Sequence, residues 1–514
     1  MHERESLPLR PAVVQRWSAG RIAELAGGEL VPAVSSSWAE VTGVSSSSDQ
    51  VRPGDLFAAL PGVSGHGARF VAGAVESGAV AVLTDAAGAA LCAADGGLLP
   101  PLIVVDSPRQ VLGLVSSELY GNPSRALAVY GITGTSGKTT TTFLVRAGLQ
   151  AAGVVAGLIG TVGVFLADEV VKTPFTTPEA PQLQALLAVM VERGVRCVGM
   201  EVSSHALRMG RVDGVDFAVG AFTNLSQDHL DFHRDMDDYF RAKSLLFDGR
   251  ARREIVMVDD DWGRALVRPG VVTVATHSGA DWTASQVNVL ADGGTRFTVQ
   301  GPGARFEAGC RIPGMYNVAN AVLALAVLAE LGADPEAAAP AVASAQVPGR
   351  MQRVDGDQRF LVVVDYSHKP AGVSGALQAL RPLTAGRLII VLGCGGDRDR
   401  GKRPVMGEVA ARFSDVLIVT DDNPRSEDPA VIRAAMLAGA LSVDPAESAV
   451  VIDEGDRRAA IEQAVAMALP GDTVLVAGKG HETGQQVGGD MLPFDDVSVV
   501  QQALAAQGFE VNAS

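Results

Sequence analysis

The sequence predicts an α/β protein of three domains: a small N-terminal α/β domain, a central domain on a mixed sheet, and a C-terminal doubly wound domain. Three observations carry this reading. Short runs of consecutive apolar residues alternate with helix-length segments along nearly the whole chain, as parallel sheets covered on both faces require. The 514 residues exceed what one hydrophobic core organises. Two turn-rich stretches, Gly121-Asn122-Pro123-Ser124 and Val347-Pro348-Gly349-Arg350, divide the chain into blocks 1–125, 126–349 and 350–514.

In the first block the apolar runs at 56–60, 79–84 and 102–105 predict strands, and the segment from Pro108 predicts a helix ending near Gly121 and Pro123. In the second, ALAVYGIT (126–133) predicts a buried strand entering a glycine-rich loop, followed by a helix through TTTFLVRAGLQAAG (140–153). CVGMEVSS (197–204) and FAVGAFTNL (217–225) predict further buried strands. The pattern changes around Gly293-Gly294, where a hairpin introduces antiparallel strand, and NVANAVLALAVLAELG (317–332) predicts a helix stopped by glycine. In the third block five strands, at 360–366, 388–393, 416–422, 449–455 and 473–480, are separated by helix-length segments. Such a Rossmann-like domain binds ligands at the C-terminal ends of its strands. The motifs DYSHKP, GCGGDRDRGKR, DDNPR and GKGHE all follow strands there.

Composition narrows the function. Hydrophobic residues make up 47% and charged residues 19%, as in a folded protein rather than a disordered one. A net charge of −16 disfavours nucleic acid and anionic membranes, so an anionic ligand depends on local cations and backbone N–H groups. No apolar run approaches the roughly 18 residues of a membrane span, and the N-terminus does not resemble a signal peptide. Cys92, Cys197, Cys310 and Cys394 are too scattered for a disulfide framework or a CxxC metal site, so a reducing cytoplasm is expected.

The strongest local signal is Gly134-Thr135-Ser136-Gly137-Lys138-Thr139-Thr140, between a strand and a helix. A tight glycine loop entering a helix surrounds a phosphate with N–H groups; Lys138 neutralises charge and Thr139 offers a hydroxyl to Mg²⁺. The strict G-x-x-x-x-G-K-[ST] pattern is not met, because Ile132 occupies its first glycine position. The loop predicts a P-loop ATPase-like central domain. Glu201, Asn224, Asp228 and His229 follow buried strands and are candidate Mg²⁺ ligands at the same edge. Lys243 lies in an apolar-periodic helix, where reaching out to solvent is the ordinary behaviour.

Taken in order, TGTSGKTT, TTP (176–178), EVSSHAL, TNLSQDHLDFH, YFRAKSLLF, GMYNVANA, VPGRM, VDYSHKP, DNPR and GKGHE resemble the Mur ligase family, and within it the diaminopimelate-adding type. The resemblance runs from about residue 42 to 485 and is least secure in the first domain. It implies an ATP-dependent ligase that adds diaminopimelate to UDP-N-acetylmuramoyl-L-Ala-D-Glu through an acyl phosphate, with two Mg²⁺ ions, in a monomer. It further implies that residues 134–140, Asn317, Asn320, Arg350 and Asp365 hold ATP, with His368 in the same segment. Thr139, Glu201, His229 and Lys243 hold metal, Lys243 as a carbamate. Ser48, Thr176, Thr177, Ser203 and Arg211 correspond to positions that bind the UDP substrate. Arg398, Asp422, Asn423, Pro424, Arg425, Gly478 and Glu482 resemble the diaminopimelate pocket, where arginine pairs the far carboxylate and Glu482 accepts from the far ammonium.

There are departures. Ser47-Ser48-Asp49 stands where the family usually carries Asp-Ser-Arg, Met209 replaces a common glutamine, and Ser367 and Lys369 have no implied role. The competing expectations are a ligase of the same superfamily that adds lysine or another amino acid, and a P-loop nucleotide switch without ligase chemistry.

Overall fold

The computed structural model describes residues 9–32, 40–62, 65–94, 99–167, 169–171, 173, 175–230, 232–290 and 293–511. It divides into two compact units, one of Met1–Thr283, Gln300–Ala304 and Val322–Ala341, the other of Ala284–Val299, Arg305–Ala321 and Val342–Ser514. The architecture is that of three α/β domains, with the N-terminal sheet and the central sheet's strands up to Val272–Ala275 in the first unit and the C-terminal sheet in the second.

The N-terminal sheet has the order Glu29–Val31, Leu102–Val104, Ala81–Thr84, Asp55–Ala58, Gly43–Ser45. Its last four strands are parallel and the first is antiparallel. The expected strands of this block are present within two residues. The helix Pro108–Leu119 starts on a proline at its first turn, where no N–H is needed, and closes before Gly121, whose φ of 77° suits glycine.

The central sheet is parallel through Ala156–Gly160, Cys197–Glu201, Ala128–Thr133, Phe217–Phe222, Ala251–Met257 and Val272–Ala275, in that spatial order. Ala128–Thr133 therefore lies between the strand ending in Glu201 and the strand ending in Phe222. The loops leaving all three emerge at one edge. Leu183, Leu187 and Met190 of the helix Ala180–Glu192 pack with Val198, Met200 and Phe217 beneath that edge. Two antiparallel strands that the sequence did not reveal, Gly163–Leu166 and Glu169–Val171, extend the far side.

In the second unit, the expected turn at Gly293 is present. Gly293 takes φ 85°, its N–H donates to Leu290 O at 2.9 Å, and Leu290 N–H donates to Gly294 O at 2.8 Å. The C-terminal sheet has the order Gln352–Arg353, Leu361–Asp365, Thr473–Ala477, Leu388–Cys394, Val416–Asp421, Val450–Asp453, parallel except for the first strand. Val362, Val364, Ile389, Val391, Val474 and Val476 face the helices Arg457–Met467 and Asp496–Ala506. Pro370–Leu380, Lys402–Phe413 and Pro429–Ala440 pack in series over the opposite face, giving the doubly wound arrangement.

Candidate active site

The phosphate loop is held from behind by the neighbouring strand. Gly134 (φ 143°) and Gly137 (φ 87°) take backbone conformations open to glycine, and a Cβ at Gly134 would collide with Thr223 Oγ1. Thr135 N–H donates to Asn224 O at 2.9 Å, and Ser136 N–H to Asn224 Oδ1 at 3.0 Å. Thr223 Oγ1 donates to Ser136 O at 2.6 Å. Lys138 opens the helix Lys138–Ala151, and its ammonium donates to Gly134 O (2.7 Å) and Thr135 O (2.9 Å). Loop, lysine and helix N-terminus thus converge on one anion-binding edge.

Glu201 ends its strand 1% exposed. Its carboxylate accepts from Thr139 Oγ1 (2.8 Å), Thr161 N–H (2.9 Å) and Thr161 Oγ1 (3.0 Å), and it has no ion-pair partner among the described residues. A buried carboxylate with three neutral donors and no cation calls for one, and hydroxyl with carboxylate oxygen is the donor set of a hard ion such as Mg²⁺. Among the described residues no three His, Cys, Asp or Glu side chains converge, so most of such an ion's shell must come from ligand oxygens and water.

Lys243 does not reach solvent: it is 1% exposed, its ammonium donates to Gly134 O at 2.7 Å, and it lies 4.6 Å from the centre of the Tyr239 ring. Burial holds its pKa well below the ordinary lysine value, the charge of Lys138 adds to this, and Asp228 opposes it. Tyr239 Oη in turn lies 3.2 Å from Thr135 Oγ1. His229 sits in the left-handed region (φ 52°), with its ring 3.5 Å from Asp228 Oδ2 and edge-on to His205.

The residues implied for the UDP substrate adjoin this edge. Thr177 Oγ1 donates to Glu201 O at 2.8 Å, and Thr176 Oγ1 lies 3.1 Å from Thr161 Oγ1. Ser203 caps the helix Ser204–Arg208 by accepting from Ala206 N–H at 3.1 Å. Arg211 donates to Thr177 O at 3.1 Å and pairs with Glu179 at 2.8 Å. Ser48 lies apart from them in sequence, in the N-terminal domain's 3₁₀ turn Ser48–Gln50, where Gln50 accepts from Gln182 of the central domain at 3.0 Å. Sequence reasoning did not single out Thr161, Thr223 or Tyr239. Position at the C-terminal end of a buried strand was the available signal for Thr223.

In the second unit, Asn320 Nδ2 donates to Asn317 Oδ1 at 3.0 Å, and Asn317 Nδ2 to Pro313 O at 2.7 Å. Asp365 accepts from Met351 N–H (2.7 Å), Ser367 N–H (2.8 Å) and Ser367 Oγ, which gives Ser367 a holding part that the sequence did not supply. Arg350 stacks over Tyr366 at 4.4 Å. His368 Nδ1 lies 2.8 Å from Tyr366 O, and burial pushes its pKa down to about 4.

Asp422 to Arg425 and Gly478 to Glu482 follow two strands of the C-terminal sheet and meet. Asn423 Nδ2 donates to Glu482 Oε2 at 2.9 Å. A Cβ at Gly478 (φ 114°) would press on Asp422 Oδ2. Arg425, itself at φ 51°, donates to Gly396 O at 2.6 Å. Arg398 leaves the adjacent loop exposed and makes no hydrogen bond or ion pair with the described residues. Below them, the fully buried Arg457 pairs bidentately with Asp496 (2.7 and 2.8 Å) and donates to Ala477 O at 3.0 Å.

Against known proteins, residues 40–118 match the Mur ligase family catalytic domain, 132–328 the Mur ligase middle domain, and 349–480 the Mur ligase glutamate ligase domain. The chain belongs to the Mur ligase family. It is 52% identical over 505 residues to UDP-N-acetylmuramoyl-L-alanyl-D-glutamate--2,6-diaminopimelate ligase of Streptomyces coelicolor, across 97% of this chain and 98% of that one. It is 43% identical over 484 residues to UDP-N-acetylmuramyl-tripeptide synthetase of Leifsonia xyli, across 91% of this chain and 93% of that one. A solved structure of a UDP-N-acetylmuramoyl-L-alanyl-D-glutamate--2,6-diaminopimelate ligase is 30% identical, with a TM-score of 0.68 over 95% of this chain and 99% of that one. Within the Mur ligase frame, the phosphate loop, Glu201 and Lys243 all fall in the middle-domain match.

Proposed function

We propose that this Mur ligase uses ATP to join diaminopimelate to UDP-N-acetylmuramoyl-L-Ala-D-Glu in peptidoglycan precursor synthesis. The observation that carries the reading is the convergence on Gly134. A phosphate loop, a buried carboxylate with only neutral donors among the described residues and a buried amine pushed toward neutrality share one sheet edge.

A carboxylate is unreactive toward amines, and its attack on a γ-phosphate brings anions together, so the site must supply positive charge and alignment. The substrate's terminal carboxylate oxygen attacks the γ-phosphorus and ADP leaves, giving an acyl phosphate. The amine nitrogen of diaminopimelate attacks the acyl carbon, the bond to the phosphate oxygen breaks, and a proton departs as the amide forms. Residues 134–140 hold the ATP phosphates, and Asn317, Asn320, Arg350 and Asp365 hold the rest of the nucleotide. Mg²⁺, when bound, would supply positive charge to spread the charge that builds on the transferring phosphoryl group. Thr139, Glu201 and His229 would hold one ion and Lys243, as a carbamate, a second. The neutral amine that burial favours is the form that adds to CO₂, forming an N–C bond and releasing a proton, which turns a lysine into an anionic metal ligand. Thr176, Thr177, Ser203, Arg211 and Ser48 bind the UDP substrate.

Selection of diaminopimelate rests with Arg398 and Arg425, whose guanidinium groups match its second carboxylate, and with Glu482 for the second ammonium. Lysine lacks that carboxylate and would leave those donors unpaired. The protein is read as a cytoplasmic monomer of domains 1–125, 126–349 and 350–514. The four cysteines are free, and no described helix is long and apolar enough to cross a membrane. Measuring ADP release with each substrate omitted in turn tests the reading. Sustained ADP release should require the UDP-dipeptide and diaminopimelate together, with no more than about one equivalent per enzyme when diaminopimelate alone is omitted. Equal release with neither acceptor indicates a nucleotide switch, and full activity with lysine indicates a different ligase.

A further inference from the structure

Lys479 is 0% exposed, between Gly478 and Gly480 at the end of a central strand of the C-terminal sheet. Its ammonium donates to Asn423 Oδ1 at 3.0 Å and Glu482 Oε2 at 3.1 Å. Asn423 closes the ring by donating from Nδ2 to the same Glu482 Oε2 at 2.9 Å, while its Oδ1 also accepts Gln486 N–H at 2.8 Å. Asn423 is itself buried, whereas the Glu482 side chain is 33% exposed. One carboxylate oxygen is thus fixed from two sides inside the protein. The other, Oε1, has no partner among the described residues and is the oxygen left to meet solvent or ligand.

We infer that Lys479 is a positioning residue for amino-acid selection, locking Glu482 through Asn423 so that a single carboxylate oxygen receives the substrate's second ammonium. This rests on the diaminopimelate pocket proposed above and assigns two of its members different tasks. Glu482 touches the substrate, and Asn423 acts through Glu482 with its polar atoms turned to Lys479, Gln486 and Glu482. A lysine buried solely for stability would be an expensive choice, since an apolar residue of similar shape fills the same space without desolvating a charge. A charge clamp on a partly exposed carboxylate is what fixes a short-range polar contact to within a rotamer.

The test uses the full-length enzyme with three variants, Lys479→Met, Asn423→Ala and Arg425→Ala, and the double variant of the first two. KM for diaminopimelate, ATP and the UDP-dipeptide is measured for each, alongside Tm. The expected result for Lys479→Met is a KM for diaminopimelate raised about tenfold to a hundredfold, the range for losing charge-assisted hydrogen bonds. The other two KM values and Tm should stay close to wild type. Asn423→Ala should do the same, and the double variant should be no worse than the poorer single one, since both release the same carboxylate. If Lys479→Met keeps the wild-type KM for diaminopimelate while Arg425→Ala raises it, the pocket stands and the clamp does not. If neither variant changes it, the pocket reading itself fails. A Lys479→Met enzyme with lowered Tm and all three KM values raised alike makes the residue merely structural and overturns the inference. Effects that multiply in the double variant make Asn423 an independent substrate contact and likewise overturn it.

Discussion

Lys243 shows how one side chain's setting can matter more than its type. The helix Met236–Ser244 buries it together with Tyr239 and Ala242, and among the described residues no carboxylate lies in hydrogen-bond contact with its ammonium. What it does contact is the carbonyl of Gly134, the first residue of the phosphate loop. Replacing it with alanine removes the proposed carbamate without disturbing an ion pair. The prediction is a fall in kcat of more than about a hundredfold, the scale of losing one charge-stabilising group at a phosphoryl-transfer site. Short carboxylates such as acetate should restore part of the rate, by standing where the carbamate stood. A Lys243→Ala enzyme with normal turnover would take the residue out of the mechanism. From sequence alone this lysine was ambiguous, because helical periodicity reports which face a residue occupies and not how deep that face lies.

Among the elements, the strand Ala128–Thr133, its loop and the helix Lys138–Ala151 were legible from the residue string. An apolar run, two spaced glycines and Lys-Thr leave few other conformations open. Less legible were the contacts that shape the loop from outside, since Thr223, Asn224 and Tyr239 are about ninety or more positions away in sequence and adjacent in the fold. The antiparallel strands Gly163–Leu166 and Glu169–Val171 went unseen for a different reason. Ala167 takes φ 57° in their connection, where a glycine or asparagine would have signalled the turn. Gly134 tests the element as a unit. Its φ and the closeness of Thr223 Oγ1 make Gly134→Ala strained, by about 1–3 kcal/mol. The loop should distort before the sheet does, so kcat/KM for ATP is expected to fall about tenfold or more while far-UV circular dichroism is retained. Wild-type ATP kinetics in that variant would mean that the loop's conformation is not needed for nucleotide binding.

Across the whole molecule, an acidic chain of net charge −16 handles polyanionic substrates. Long-range attraction does not favour anionic ligands, so the proposed sites rely on locally concentrated cations and donors: Lys138 and the helix N-terminus in one unit, and Arg398 and Arg425 in the other. The three-domain α/β architecture was readable from alternating apolar runs, and so was the line-up of motifs at strand C-terminal ends. For the proposed last-domain pocket, sequence offered candidate residues but not a division of labour among them, which depends on which atoms are already occupied by protein partners. The proposed ligation requires the substrate's carboxylate to become an acyl phosphate, and oxygen tracing reads that step. With ¹⁸O in the reacting carboxylate of the UDP-dipeptide, each amide formed should carry one labelled oxygen into inorganic phosphate, detected by mass spectrometry. Amide formation accompanied by unlabelled phosphate would contradict it.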